Sequence, residues 1–128
     1  MPDLLLDTHV LLWASSEPDR LGGLTTSHLL DASNRVLVSA VSAAEIAIKR
    51  SIGKLDMAMP VQALMEPIGA EELALTVVHA SAAERIPLIH RDPFDRLLAA
   101  QALAESLTLV SADDRVLAYP ITSLDART

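Results

Sequence analysis

Cysteine is absent from this 128-residue chain, which excludes a disulfide framework, a thiolate metal site and a cysteine nucleophile. That absence fits a reducing compartment. Aromatic residues are nearly missing too, with one Trp, one Tyr and one Phe against a hydrophobic content of 51%. The core must therefore be built from Leu, Val, Ile and Ala. Only 4 glycines occur, and neither GxGxxG nor GxxxxGKS is present, which disfavours nucleotide-cradling folds. Basic residues number 10 against 17 acidic ones, a net charge of −7. This disfavours a general binder of phosphate backbones. It leaves room for a nuclease, because an acidic metal site adds to the deficit and bound cations offset it. No apolar run approaches the roughly 18 residues of a membrane span. The segment MPDLLLDTHVLLWASSEPDR lacks a basic start and is interrupted by Asp3 and Asp7, unlike a signal peptide. A soluble, cytoplasmic protein is the expectation.

What is present is an alternation of short apolar runs and helical segments, without internal repeats or low-complexity tracts. The length predicts one domain, 1–128, able to bury about two-thirds of its unfolded surface. Residues 3–7 read as a buried strand followed by a helix over 9–16, and 24–33 as a second helix beyond the Gly22-Gly23 loop. Residues 36–39 are apolar and mostly β-branched, a second strand, followed by a helix over 42–52 that ends at Gly53. Pro60 opens another helix to about 69. The run ELALTVV at 72–78 predicts a third strand, with a helix over 79–86 behind it. Pro93 starts a long helix to about 105, LTLV at 107–110 is a fourth strand, and 120–124 adds a fifth. Strands alternating with helices imply a three-layer α/β/α sandwich with a mostly parallel central sheet. Sites in such sheets form beyond the carboxyl ends of the strands, where strand order reverses.

Four acids fall on that side: Asp7 after LLL, Glu45 early in the helix after VLVS, Asp95 in HRDPFD, and Asp113 after LTLVSA. Each has a competing structural duty. Asp7 suits a helix N-cap, although Thr8 could cap instead and leave Asp7 facing the sheet edge. Glu45 stands three residues after Ser42, the spacing of a capping box, and on local sequence the box is the better reading. Asp92, before Pro93, fits an N-cap, so Asp95 is favoured over Asp92 as a ligand. Ser111 and Asp114 have box-like spacing, which leaves Asp113 without a structural duty. Carboxylates brought together at one edge resist ionising together unless a cation sits among them, and a hard divalent ion held by oxygen is the economical answer.

Other chemistries fit less well. His9, His28, His79 and His90 have no zinc-site spacing and read as core-edge or surface residues. Ser39, Ser42 and Ser111 lack a nucleophile elbow, and Trp13 reads as core. Lys49, Arg50 and Lys54 suit the C-terminal turn of a helix, while Arg91, Arg96 or Lys49 could reach a phosphate. A receiver-like signalling domain would want an acid after the third strand and a lysine after the last, and no Lys follows residue 54.

With these residues assembled, the chain resembles the PIN-domain family, in particular VapC-type ribonuclease toxins. The resemblance spans nearly the whole sequence and is carried by LLLDTHVLLWA at 4–14, VSAVSAAEIAIKRSIGKL at 38–55, HRDPFDRLLAAQALAESLTLVSAD at 90–113 and RVLAYPI at 115–121. It implies an endoribonuclease dependent on Mg²⁺ or Mn²⁺, with Asp7, Glu45, Asp95 and Asp113 as catalytic and metal-binding acids. Thr8 and Ser111 match the small hydroxyl positions beside them. It also implies an RNA substrate, a VapB-like antitoxin partner and a homodimer. Relatives often carry Trp where this chain has Ala44, and a second His at Ile89. Neither departure touches the carboxylates, and retention of all four acids argues against an inactive, binding-only PIN fold.

Overall fold

A computed structural model describes residues 3–128. Five strands form one sheet: β1 (Leu4–Leu6), β2 (Val36–Ser39), β3 (Glu71–Leu73), β4 (Thr108–Ser111) and β5 (Ser123–Asp125). Their order across the sheet is β3-β2-β1-β4-β5, and every pairing is parallel. The chain begins at the centre, builds outward through β2 and β3, then crosses to the other side of β1 for β4 and β5. The strand order thus reverses next to β1.

The three central strands are buried on both faces, as parallel strands flanked by helices must be. Their side chains alternate. Leu5, Leu37 and Leu109 pack with Leu98, Ala99, Ala102, Val116 and Tyr119 on one face. Leu4, Leu6, Val36, Val38 and Val110 pack with Val10, Leu11 and Leu64 on the other. Helices α5 (Val77–Ala82), α6 (Pro93–Glu105) and α7 (Asp114–Leu117) supply the first layer, and α1 (Thr8–Ser16) and α4 (Val61–Met65) supply the second. Helix α2 (Gly23–Leu30) lies beyond α1 in the chain, and α3 (Ala40–Ser51) follows β2 directly. This is the α/β/α sandwich expected, with a sheet that is wholly parallel among the described residues.

The fifth strand lies at Ser123–Asp125, later than the expected 120–124, and α2 ends at Leu30, short of 33; two further elements differ for reasons the hydrogen bonds show. The third strand stops at Leu73, because Thr76 caps α5: its hydroxyl accepts from the His79 amide while His79 Nδ1 accepts from the Thr76 amide. Val77 and Val78 therefore leave the sheet for an exposed first helical turn. Helix α3 starts at Ala40, two residues early, with Ser39 as its cap. Two glycine-dependent points hold the loops. Gly53 takes φ 74°, the left-handed turn after α3. A side chain at Gly22 would lie 2.1 Å from the Thr128 backbone, where the chain end docks.

Candidate metal centre

The register sets the site. Leu6 pairs with both Val38 and Val110, so Asp7, Ser39 and Ser111 emerge together one residue further on, beside the reversal of strand order. The Asp7 amide still donates to Val110 O at 3.0 Å, which keeps its Cα in line with the sheet. Helix α3 leaves β2 at the same edge and returns Glu45 over it. The start of α6 brings Asp95 in, and the loop after β4 brings Asp113.

The duties of the four acids are partly the reverse of those read from local sequence. Asp7 is the N-cap of α1, its Oδ1 accepting from the Val10 amide at 2.8 Å, so Thr8 does not replace it. Asp113, expected to be free, caps α7 by accepting from the Arg115 amide. Ser111 forms no box with Asp114; its hydroxyl accepts from the Asp113 amide. The Ser42–Glu45 box does not form either, because Ser42 already lies inside the helix. Glu45 is buried, takes a hydrogen bond from Thr8 Oγ1 at 2.6 Å, and pairs with Lys49. Asp92 does cap α6, accepting from the Phe94 and Asp95 amides, which leaves the Asp95 carboxylate for the cleft. A cap uses one carboxylate oxygen, so capping and facing the cleft are compatible for Asp7 and Asp113.

The acids sense one another. Burial, followed by the negative charges of Asp92, Asp7, Glu45 and Asp113, pushes Asp95 up to about 7. Burial also raises Asp7, against the Ser111 hydroxyl and the Val10 amide, with Glu45 adding to the rise. Asp113 lies at the open side: partial burial works against its ionised form, but the Arg115 amide and the charges of Arg115 and His90 hold it below the ordinary carboxylate range. Lys49 is the lysine of this cleft, raised by its bond to Glu45 and further by Asp92 and Asp95. A cleft of crowded carboxylates, with Asp7 and Asp95 raised by burial, is chemically suited to Mg²⁺ or Mn²⁺, whose charge would favour their ionised forms.

Sequence reasoning missed His90. Its side chain is 9% exposed, and Nε2 lies 2.9 Å from Asp95 Oδ2 and 3.7 Å from Asp113 Oδ2. It sits in an irregular segment, where no periodicity could flag it; its nearness to Asp95 in HRDPFD was the available signal. Arg96, by contrast, is no free phosphate ligand. Its guanidinium donates to the carbonyls of Ala83, Ile86 and Pro87 and ties down the loop before His90. Trp13 is not core but half-buried, with the Arg20 guanidinium 4.4 Å from its ring centre.

A doubly wound parallel sheet with carboxylates converging beside its switch point defines an α/β/α protein with an acidic centre at the carboxyl edge. More particularly, the chain belongs to the PIN domain family, which it matches over residues 4–121. It is 29% identical over 119 residues to Ribonuclease VapC22 of Mycobacterium tuberculosis, covering 91% of each chain. Its fold is that of the solved VapBC2 complex from Rickettsia felis bound to a DNA fragment from their promoter, with a TM-score of 0.69 at 19% identity over 94% of this chain and 96% of that one. The DNA-bound VapBC from Salmonella typhimurium is similar, with a TM-score of 0.64 at 16% identity, covering 97% and 98%.

Proposed function

We propose that this PIN-domain protein is a toxin of the VapC type, an endoribonuclease that hydrolyses RNA phosphodiester bonds with Mg²⁺ or Mn²⁺ and is neutralised by a VapB-like antitoxin. The observation that carries the chemistry is the convergence of Asp95 and Asp113 on one point beside His90, at 2.9 and 3.7 Å from its Nε2, with burial and the neighbouring acids pushing Asp95 up. Asp7, Asp95 and Asp113 are the residues that would hold the ion, and Glu45 faces the same space. A divalent ion held there would supply charge to offset that of the phosphoryl group and would lower the pKa of water. Glu45 orients the attacking water and takes its proton on a carboxylate oxygen, with Thr8 and Lys49 fixing the group in place. Lys49, 36% exposed on its side chain, is placed to meet a substrate phosphate once Glu45 has taken up the water.

Likeness to a ribonuclease VapC and to two-protein VapBC assemblies supports the activity and the partner. Among the described residues no helix is long and apolar enough to cross a membrane, and cytoplasmic action belongs to the same reading. So does a homodimer, for which the exposed Val77 and Val78 of α5 and Leu103 of the adjoining α6 offer an apolar face. The deciding experiment is RNA cleavage by the purified protein with and without Mg²⁺ or Mn²⁺, beside Asp7→Asn and Asp95→Asn of matched thermal stability. Metal-dependent cleavage lost in both variants is expected. Equal cleavage by all three proteins would assign the activity to a contaminant and end this reading.

A further inference from the structure

We propose that His90 Nε2 is itself a ligand of the ion in this centre, beside Asp95 and Asp113, and that the site therefore favours Mn²⁺ over Mg²⁺. This rests on reading the cleft as a metal centre and goes beyond it by placing a nitrogen donor in a shell otherwise made of oxygen.

The geometry comes first. One donor atom from each of His90, Asp95 and Asp113 lies within 4.8 Å of the other two. Adjacent ligands of an octahedral ion with bonds of about 2.1–2.3 Å lie roughly 3 Å apart, and the separations of 2.9 and 3.7 Å from Nε2 need little adjustment to reach that. At 2.9 Å, Nε2 and Asp95 Oδ2 are close enough to share one cation.

The support around His90 fits a residue held for a purpose. Its segment has no regular structure, yet the Tyr119 hydroxyl donates to the His90 carbonyl at 3.2 Å. The three Arg96 bonds fix the carbonyls just upstream. Position is set through the backbone while the ring's reactive nitrogen faces the acids. Carboxylates and water serve Mg²⁺ and Mn²⁺ alike, whereas imidazole is a softer donor that a transition ion accepts more readily than Mg²⁺ does. Nitrogen in the shell is therefore the feature that separates the two ions.

Mn²⁺ alone, added to the intact protein, is the probe. Pulsed electron paramagnetic resonance should detect ¹⁴N coupling to bound Mn²⁺ in the wild type and in His9→Gln, but not in His90→Gln. His9 is the control because it is the other ring near Asp7. Calorimetry should show the ratio of Mn²⁺ to Mg²⁺ affinity falling in His90→Gln by at least about tenfold, the scale on which even residues that merely orient a ligand act. Mn²⁺ binding without nitrogen coupling, or coupling that survives in His90→Gln, overturns the proposal and leaves the acidic metal centre standing. No binding to the wild type overturns both. Should His90→Gln fail to fold, His9→Gln labelled with ¹⁵N-histidine decides instead: coupling that persists as ¹⁵N supports His90, and its disappearance refutes it.

Discussion

Thr8 Oγ1 lies 2.6 Å from Glu45 Oε1 and 3.0 Å from Ser42 Oγ, joining the start of α1 to the middle of α3 inside the acidic cleft. A threonine hydroxyl has one proton. The carboxylate is the stronger acceptor, so Thr8 donates to Glu45 and accepts from Ser42. Replacing it with Val keeps the shape and removes the bond. Thr8→Val is expected to lower the turnover of RNA cleavage by about tenfold or more, with a stability loss near 1 kcal/mol. Turnover and thermal midpoint measured together check this; unchanged turnover would remove Glu45 positioning from the mechanism.

Lys49 neutralises Glu45 and acts on Asp92 and Asp95 as well. A resident ammonium repels an incoming divalent ion. Lys49→Met is therefore expected to tighten Mg²⁺ or Mn²⁺ binding by roughly threefold to tenfold while reducing cleavage, because the phosphate contact is lost. Calorimetric metal titration and cleavage rates should move in opposite directions.

The raised Asp95 sets a pH dependence with a definite sign. Between the unfolded value near 3.8 and the folded value of about 7, the folded chain holds a proton that the unfolded chain has released. The stability this contributes is complete at low pH and is lost as pH rises through about 7. Metal-free wild type is therefore expected to lose stability relative to Asp95→Asn between about pH 4 and pH 7, on the order of 1–3 kcal/mol after solvent screening. Mg²⁺ or Mn²⁺ should restore the wild type and not the variant. Thermal melts across that range test both halves, and parallel curves without metal would contradict the assignment.

Gln101, fully buried, joins three elements: its Oε1 accepts from Ser39 Oγ, and its Nε2 donates to Ala74 O and faces His79 Nδ1. Ser39 also caps α3, which carries Glu45. Gln101→Leu keeps volume but leaves buried polar groups unpaired, at a cost of about 2–4 kcal/mol. A thermal midpoint lowered by less than a few degrees would show that the network relaxes.

Val77 and Val78 are 82% and 69% exposed although they open a helix beside α6. If a second copy covers this face, Val78→Asp is expected to shift the protein from dimer to monomer in light scattering, with its circular dichroism preserved. A wild type that is monomeric at high concentration would dispose of the dimer.

Composition and periodicity by themselves determined the frame: a cysteine-free α/β/α sandwich with apolar central strands, the helix over 93–105, and acids on the carboxyl side of the sheet. These are local properties, since a buried parallel strand must be apolar on both faces and a proline after Asp92 must open a helix. Only the tertiary structure decided what each acid does. Capping depends on where a helix starts: α3 starting at Ala40 freed Glu45, Asp7 kept the cap that Thr8 could have taken, and Asp113 took a cap that spacing had allotted to Ser111. The truncation of β3 at Leu73 has the same origin, since the helix cap formed by Thr76 and His79 outweighs the β-propensity of Val77 and Val78. His90 was illegible for a different reason. Its place beside Asp95 and Asp113 comes from an irregular loop held by Arg96 and Tyr119, and a segment without regular structure leaves no periodic trace in the sequence.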